Sequence, residues 1–426
     1  MLFSKLAQYF EKLEETSSRL ILIDILSQLF DEVASNEIGQ VCYLLQGRVG
    51  PFYESIEIGM SEKLVAASLA KAYGVEKEQV LKEYGKLGDL GVVAEKLSNN
   101  KKSNLEVEEV FKILTEIAKT SGKGTVEKRI VALSDLLKRV DGIGAKHLVR
   151  IPLGVSRLGI GDPTILDAFA QSKLGDRKLR KELEGAYNRI SDLGIIGETL
   201  WNKGLKGVQG LDVVVGRPIR SQLAERLPDP KTILEKFEGA AHIQQKWDGF
   251  RVQIHKKGNN VRLFSRNLEE TTPMFPEIIQ GVLSQVKADS IILDSEALAF
   301  NPESEEFLPF QETTKRRRKY GIEAMAVKLP LKSFVFDIMY LNGKSLMDLP
   351  LELRIKNLGS SIKGNEVLIP QDGEITDSAK RMEELFQDAL TKGLEGLIVK
   401  RPDSKYEAGA RNFNWVKLKR HSSGEL

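Results

Sequence analysis

The sequence predicts a multidomain protein in which an all-α N-terminal domain is followed by an α+β domain built on antiparallel sheets. The chain has 426 residues, enough for two or three domains with sizeable cores. Apolar residues recur at helical spacing up to about residue 210, and short alternating runs typical of strands dominate after it. The segment from Leu211 to Arg220, broken by Gly and Pro, separates the two regions. We therefore predict domains at 1–212 and 213–420, with 421–426 as a terminal stub.

Composition excludes several classes of protein. Hydrophobic residues make up 41% of the chain and charged residues 29%, and no run of about 18 apolar residues indicates a membrane span. The N-terminus lacks the layout of a signal peptide. Cys42 is the only cysteine, which excludes an intramolecular disulfide and a cysteine-based zinc site and fits a reducing cytoplasm. We expect a cytoplasmic protein, and a net charge of +3 leaves any case for nucleic acid to local clusters.

The helices of the N-terminal region are predicted from the spacing of their apolar residues. Phe3, Leu6, Phe10 and Leu13 fall on one face of a helix. Similar spacing recurs at residues 26–33, 105–118 and 126–140. The polar residues 99–103 predict a loop.

The second region begins with a predicted hairpin. Phe250, Val252 and Ile254 alternate with polar residues, a turn follows at 257–260, and the pattern resumes after it. Further strands are predicted at 290–300, 333–341, 394–401 and 414–419, and helices at about 274–286 and 377–391.

The run Lys246-Trp247-Asp248-Gly249-Phe250-Arg251 is a candidate covalent site. A lysine amine attacks only when unprotonated, so its ordinary pKa of about 10.4 has to fall. Treated as one strand, the run places Lys246 and Asp248 on the same face, while Gly249 allows a close approach and Arg251 can form forked hydrogen bonds to a sugar or phosphate. The alternative is a surface strand with a turn glycine.

Later strands carry charged or aromatic residues within apolar sequence. Glu296 and Glu395 need partners or a metal if they are buried. Phe336 shares one predicted strand face with Phe334, Ile338 and Tyr340, and the alternative role for it is core packing. Arg266 could equally be an exposed hairpin residue, and Lys417 and Lys419, which share a face, could be solvated. A single nucleotide-binding pocket explains these positions better than several unrelated chance occurrences would.

In this order, the segments resemble motifs I, III, IIIa, IV and V of the covalent nucleotidyltransferases. They are most similar to ATP-dependent DNA ligases of the archaeal and eukaryotic replicative type. The resemblance extends to the segment 215–226, which is similar to the junction before the family's adenylation domain, and to segments 142–147 and 157–161, which are similar to its DNA-binding domain. It therefore implies a helical DNA-binding domain and an adenylation domain.

The resemblance implies a role for each matching residue, with ATP and Mg²⁺ as cofactors. Lys246 would carry AMP, Glu296 would contact ribose or metal, and Glu395 would support the metal. Gln244 stands where the family often has a glutamate that contacts adenine, and Ser295 where it usually has glycine. The remaining nucleotide contacts would be made by Arg251, Arg266, Phe336, Arg411, Lys417 and Lys419.

Nicked double-stranded DNA is the partner that the resemblance implies, and a sliding clamp is a further expected partner of a monomeric protein. The glycine-rich segments at 142–144 and 159–161 could bring backbone N–H groups to phosphates, with a helix starting at Asp162-Pro163. The cations Lys146, Arg150 and Arg157 would add charge beside Gly159 and Gly161. Residues 315–319 are five consecutive cations, either a solvated run or a DNA-binding patch containing Arg316, Arg317 and Arg318.

Family members continue after motif V into an OB-fold domain, whereas this chain ends at Leu426. We therefore expect that domain to be missing, and we expect binding of nicked DNA with weak self-adenylation. Two other functions stay open. One is an RNA ligase or capping guanylyltransferase, which the large helical half disfavours. The other is a nick-binding DNA protein with impaired turnover.

Overall fold

The computed structural model describes residues 1–155 and 158–420, which divide into two compact units. The first unit comprises Met1–Tyr187 and Asp192–Leu211. The second comprises Asn188–Ser191 and the chain from Asp212 onward. The sequence prediction of one boundary near residue 212 does not include the grouping of the short segment Asn188–Ser191 with the second unit.

The first unit is helical, as predicted, and several of its helices begin at side-chain caps. Ser18, Ser61, Asp89 and Asp141 each accept a hydrogen bond from a backbone N–H in the first turn of the helix that follows. A π-helical turn, Ala170–Leu174, follows α10. The α-helices are α1 (Phe3–Glu14), α2 (Arg19–Glu32), α3 (Ile38–Leu45), α4 (Glu62–Tyr73), α5 (Lys77–Leu87), α6 (Leu90–Leu97), α7 (Val107–Lys119), α8 (Thr125–Leu137), α9 (Gly142–Leu153), α10 (Asp162–Phe169), α11 (Arg180–Ile190) and α12 (Leu193–Gln209).

The core of the first unit forms where the apolar spacing predicts it. Phe3, Leu6, Phe10 and Leu13 are each at most 2% exposed, and they form the inner face of α1. Burial of each such side chain stabilises the fold by roughly 1.5–3 kcal/mol. Cys42 is buried in α3 as a free thiol. Among the described residues, no helix is long and apolar enough to cross a membrane.

The second unit contains two sheets, which confirms the α+β class. The first sheet has the order β1-β11-β10-β2-β9 and the second has the order β4-β3-β5-β6-β7, with β8 paired to β6. Most pairs are antiparallel, but β1 with β11 and β6 with β8 run parallel. The strands are β1 (Leu223–Arg226), β2 (Ala241–Lys246), β3 (Phe250–Lys257), β4 (Asn260–Ser265), β5 (Ser290–Ala299), β6 (Leu331–Leu341), β7 (Lys344–Ser345), β8 (Leu368–Pro370), β9 (Glu374–Thr376), β10 (Gly396–Lys400) and β11 (Arg411–Lys419).

Helices cover the outer face of each sheet. The α-helices of this unit are α13 (Pro230–Phe237), α14 (Pro276–Gln285), α15 (Phe310–Thr313), α16 (Ile322–Lys328), α17 (Leu351–Ser361) and α18 (Ala379–Thr391). α13 and α18 pack on the first sheet, and α14 and α17 pack on the second. A smaller cluster that includes Ile292, Met339, Tyr406 and Trp415 joins the inner faces of the two sheets. The predicted hairpin is confirmed as β3 and β4.

Two details of the strand prediction are wrong. Lys246 ends β2 in the first sheet, and β3 begins at Phe250 in the second, so Lys246 and Asp248 do not share a face of one strand. In β6, the pairing with β5 skips Phe336 and Met339. These bulges break the alternation, so Ile338 packs in the core under the second sheet while Phe336 faces the cluster between the sheets.

Candidate functional site

A cleft of about 530 Å³ lies between the two sheets of the second unit. This volume lies in the range of ordinary small-molecule sites. Residues from β1, β2, β3, β5, β6, β10 and β11 line it. Most residues that the sequence predicts for nucleotide binding meet here, namely Gln244, Lys246, Arg251, Arg266, Glu296, Phe336, Arg411 and Lys417.

Lys246 is placed at the mouth of this cleft by the end of β2. Its ammonium group forms an ion pair with Glu395, which also accepts from Lys419 at 3.1 Å. Burial pushes the pKa of Glu395 up, but the hydrogen bonds and charges of the two lysines outweigh it, so the pKa lies below its ordinary value. The predicted lysine, carboxylate and second lysine therefore form one ionic cluster.

Gly249 is required by a close approach of two strands. A Cβ built on Gly249 would lie 2.0 Å from the carbonyl oxygen of Ala297 in β5. The backbone N–H of Gly249 also donates a hydrogen bond to the carboxylate of Glu296. The predicted role of this glycine, allowing close approach, is confirmed, and the approaching group is the β5 backbone.

Glu296 is a largely buried carboxylate on the wall of the cleft. Burial raises its pKa to about 7, although Arg251 and Lys246 favour the charged form. A carboxylate whose charge is this poorly compensated suits a site that binds a cation or a hydroxyl group.

Arg251 is held in a fixed orientation rather than free to swing. Its guanidinium donates to both carboxylate oxygens of Asp294, at 2.9 and 2.6 Å, and to the carbonyl of Gln222 at 2.7 Å. Tyr406 donates to the same carboxylate at 2.7 Å. Burial and the Asp294 charge act in opposite directions on the pKa of Arg251, and the net result is a raised pKa. These bonds use three of the five guanidinium N–H groups of Arg251, which lines the cleft.

Phe336 and Gln244 meet at the floor of the cleft. The Gln244 amide nitrogen donates to the carbonyls of Phe336 and Gln371, at 3.3 and 3.4 Å. Because carbonyls only accept, this fixes the orientation of the amide and leaves its oxygen as the group that Gln244 offers to the cleft. The bulge in β6 directs the Phe336 ring toward the cleft, where Arg251 lies 5.2 Å from the ring centroid.

Lys400 is a cleft residue that the sequence reasoning missed. It is 1% exposed, and its ammonium nitrogen has no hydrogen-bond partner within the part of the chain that the structure describes. It lies over the rings of Trp415 and Phe336, 3.9 and 4.6 Å from their centroids. Burial lowers its pKa to about 7, against the opposing charge of Asp337. The sequence signal that could have identified Lys400 is a lysine at the end of the apolar strand Gly396–Lys400.

Other cations surround the opening of the cleft. Arg266 and Arg411 are exposed at its edge, and Lys417 points into it from β11. Burial, followed by the charges of Lys419 and Arg411, lowers the pKa of Lys417. Val416 and Leu418 pack on the opposite side of β11, which confirms the predicted shared face of the two lysines.

The carboxylates near Lys246 fit a divalent cation that also takes ligands from phosphate. Glu296 and Glu395 each offer oxygen ligands of the kind that Mg²⁺ prefers. Burial and then the nearby charge of Glu395 raise the pKa of Asp248, against the charges of Lys246 and Lys419. A cation held by Glu296 and Glu395 would offset this charge.

In the helical unit, two of the predicted DNA contacts are paired with carboxylates of the same unit. Arg150 is 3% exposed and donates to Asp89 at 2.6 Å and to Glu14 at 2.8 Å. Lys146 has a 12% exposed side chain, and it donates to Glu11 at 2.8 Å. A DNA contact through either cation therefore requires that phosphate replace a carboxylate partner, and both contacts stay predictions.

The glycine-rich segments have different surroundings. Gly144 donates its N–H to the Asp141 carboxylate, so an acidic cap occupies the start of α9. Gly159 has a φ of 64°, and Gly161 directly precedes α10, where Pro163 lies in the first turn. Arg157 lies outside the described residues.

The basic run at residues 315–319 is not a uniform solvated patch. Arg316 is fully buried and pairs with Glu277 at 2.8 Å, and it also donates to the carbonyls of Leu329 and Met274. The guanidinium of Arg316 is therefore used within the fold and is not among the solvent-exposed cations of the run. Arg317 and Arg318 are exposed, and Arg317 reaches the edge of the cleft.

Another cleft, of about 560 Å³, lies between α7 and α8 of the helical unit. Its floor is apolar, and Arg139 and Glu109 on its rim form an ion pair at 2.8 Å. Among the described residues that line it, none carries a buried, unpaired polar side-chain atom. The cleft between the sheets is therefore the candidate site.

Comparisons with known proteins cover both units of the chain. The family described as ATP dependent DNA ligase domain matches residues 221–419, and the family described as DNA ligase N terminus matches residues 2–170. A protein of Dictyoglomus turgidum named Probable DNA ligase is 45% identical over 426 residues, covering 100% of this chain and 73% of that protein. DNA ligase 1 of Methanosarcina acetivorans is 37% identical over 429 residues, covering 99% of this chain and 74% of that protein. A solved structure named Pmar-Lig_Pre has a TM-score of 0.50 and 16% identity, and it covers 97% of this chain and 78% of that chain.

Proposed function

Since the chain belongs to the ATP-dependent DNA ligase family, we propose that it seals nicks in duplex DNA through an AMP adduct of Lys246. The observation that carries the proposal is the arrangement of one cleft. A solvent-accessible lysine stands at its mouth among cations suited to binding phosphates, while polar groups suited to a purine lie at its floor.

The floor of the cleft supports adenine rather than guanine. Gln244 offers an acceptor oxygen and Lys400 an unpaired donor. On one edge, adenine carries an amino donor beside a ring-nitrogen acceptor, whereas guanine carries a carbonyl acceptor beside an N–H donor. The pattern matches adenine and opposes guanine, because a mismatched base would leave buried polar groups unpaired. Phe336 is the ring on which the base would stack.

The chemistry at Lys246 is displacement at the α-phosphorus of ATP. The unprotonated amine forms a nitrogen–phosphorus bond, the bond from the α-phosphorus to the bridging oxygen breaks, and pyrophosphate leaves. AMP then moves to the 5′-phosphate at the nick, and the 3′-hydroxyl displaces it to form the phosphodiester. Arg266, Lys417 and Lys419 would offset the charge that develops at phosphorus.

Mg²⁺ would be held by Glu296 and Glu395, where it would neutralise phosphate charge. When the nucleotide binds, Lys246 has to leave Glu395, because an ammonium group in an ion pair cannot attack. Contact of Glu395 with the cation instead of the lysine would favour that exchange.

We also propose that the protein acts in DNA replication and repair, since both leave nicks with a 5′-phosphate. Binding would depend on the DNA backbone and be largely independent of sequence. Within the second unit, the exposed Arg317 and Arg318 are the members of the basic run with guanidinium groups open to solvent. A clamp partner and a monomeric state stay predictions.

The test is labelling with α-³²P-ATP in the presence of Mg²⁺. We expect label on the wild-type protein that alkali retains and acid releases, as a nitrogen–phosphorus bond requires, none on Lys246→Ala, and little label from α-³²P-GTP. Chasing labelled protein with nicked duplex DNA should move AMP to the DNA and then yield sealed product. Label that persists on Lys246→Ala would contradict the proposed nucleophile, and preferential label from GTP would favour a capping enzyme.

A further inference from the structure

Gln222 is a buried cleft residue to which no role has been assigned. It precedes β1, it is fully buried, and it is one of the residues that line the cleft between the two sheets. Neither the resemblance nor the ionic cluster around Lys246 accounts for a glutamine at this position.

Hydrogen bonds fix the orientation of the Gln222 side chain. Its backbone N–H donates to the hydroxyl of Tyr406 at 3.2 Å, and its backbone oxygen accepts from Arg251 at 2.7 Å. Its side-chain oxygen accepts from the backbone N–H of Glu407 at 2.9 Å. Because a backbone N–H can only donate, the oxygen must face Glu407 and the amide nitrogen must face away from it.

That amide nitrogen, Nε2, is the exception in an otherwise bonded residue. It is buried and has no hydrogen-bond partner in residues 1–155 and 158–420. Leaving a buried donor unpaired destabilises a fold, so such a group in a cleft indicates a partner supplied by a ligand. The donor is already oriented, since Glu407 and Tyr406 hold the rest of the residue.

We infer that Gln222 is a nucleotide-binding residue whose Nε2 donates a hydrogen bond to an acceptor on the nucleoside, either a purine ring nitrogen or a ribose oxygen. This inference rests on the proposed function, because it takes ATP as the ligand of the cleft. The nucleoside is favoured over the triphosphate because of the neighbours of Gln222. Its backbone oxygen holds Arg251, whose guanidinium lies over Phe336 and Trp415, at 5.2 and 5.7 Å from their centroids.

The experiment measures the equilibrium Kd of ATP with divalent metal chelated, so that binding is separated from chemistry. We expect Gln222→Met to raise the Kd roughly tenfold, the effect of one lost hydrogen bond to a buried group. Wild-type protein should lose a similar factor with one of 3-deaza-ATP, 7-deaza-ATP or 2′-deoxy-ATP. The variant should show no further loss with that same analogue, which identifies the acceptor atom.

Two further variants separate binding from folding. Gln222→Glu keeps an oxygen for the Glu407 N–H but replaces the donor by an acceptor, so we expect a larger rise in the Kd of ATP together with a lower melting temperature, because the new carboxyl group is buried. Gln285→Met is the matched control, because Gln285 is 3% exposed, lies outside the cleft and has its amide bonded to Leu368 and Lys363. It should lower the melting temperature and leave the Kd of ATP unchanged.

Two results would overturn the inference. One is Gln222→Met binding ATP within about twofold of wild type, and the other is a variant that still discriminates the analogue that wild type discriminates. If the wild-type protein becomes labelled at Lys246 and Gln222→Met binds ATP as tightly as the wild type, only the role of Gln222 is contradicted. If wild type neither binds ATP nor becomes labelled, the proposed function fails as well.

Discussion

Replacing Lys400 by methionine should make the protein more stable and bind ATP more weakly. Lys400 is 1% exposed, and its ammonium nitrogen lacks a hydrogen-bond partner among the residues described. Methionine has a similar length and no charge, so it removes the cost of burying the ammonium group while filling the same space. A buried polar group that lowers the stability of the fold is expected at a functional site, where ligand binding requires that group.

The magnitude follows from the pKa of Lys400. Burial lowers it from 10.5 to about 7, and at 1.36 kcal/mol per pH unit this corresponds to about 5 kcal/mol lost by the protonated form. The contacts with the Trp415 and Phe336 rings return about 1–2 kcal/mol of this cost. We therefore expect Lys400→Met to raise the free energy of unfolding by roughly 3 kcal/mol at neutral pH.

The pH dependence has a definite sign. A lysine whose pKa is lower in the folded state contributes stability that is present above the unfolded pKa of 10.5 and is lost as pH falls through about 7. The advantage of Lys400→Met should therefore be largest near pH 7. It should shrink by about 1.4 kcal/mol per pH unit as the pH rises toward 10.

The assay is urea unfolding followed by tryptophan fluorescence at pH 7 and pH 9, with the Kd of ATP measured in parallel. Loss of a charge-assisted hydrogen bond should weaken ATP binding by roughly 10- to 100-fold. Lys256→Met is the matched control, because Lys256 is 7% exposed but donates to the carbonyl of Ala288, so its loss should destabilise the protein at both pH values. A Lys400→Met protein that is less stable than wild type at pH 7, or a difference that does not change with pH, would refute the reasoning.

Two further predictions test how the site and the basic run are built. Gly249→Ala should abolish labelling from ATP, since the new Cβ would lie 2.0 Å from a β5 carbonyl oxygen. Gly258→Ala is the control, because Gly258 lies at a turn with open space and a φ of 59°. It should lower the free energy of unfolding by about 1–2 kcal/mol and leave labelling intact. Equal labelling of the two variants would show that the strand contact does not position Lys246. Arg316→Leu should destabilise the protein by about 3–5 kcal/mol because it leaves the Glu277 carboxylate without its partner. Arg318→Ser should leave the melting temperature unchanged and reduce the salt dependence of DNA binding. A reduced salt dependence with an unchanged melting temperature for Arg316→Leu would contradict its structural role.

Local pattern in the sequence was enough for the elements and for most of the cleft. Helical spacing identified α1, α7 and α8, and alternation with a glycine turn identified β3 and β4. The elements follow from the period of a helix or strand, which is local information. The grouping of Lys246, Glu296 and Glu395 in one site was implied by the resemblance to the ligase motifs.

Pairing over long distances in the chain was not available from the sequence. Arg150, Lys146 and Arg316 were predicted as free cations, but each meets carboxylates far away in the chain, such as Glu11 and Glu277. A charge in the sequence carries no sign of whether a distant partner will neutralise it. The sequence likewise could not show that Asp294 holds Arg251 in a fixed orientation and accepts from Tyr406, because these partners are also far apart in the chain.

The sequence by itself indicated the two kinds of domain through residue type and short spacing, and its resemblance to the ligase motifs put forward Lys246 and the residues that line the cleft as candidates. Only the tertiary structure decided that Lys246 ends one sheet while Arg251 belongs to the other, so that the cleft forms between them. It also decided which polar atoms stay unpaired. Lys400 and Gln222 became candidate ligand contacts because every neighbouring element leaves one of their donors without a partner among the described residues, which is a property of the packed fold.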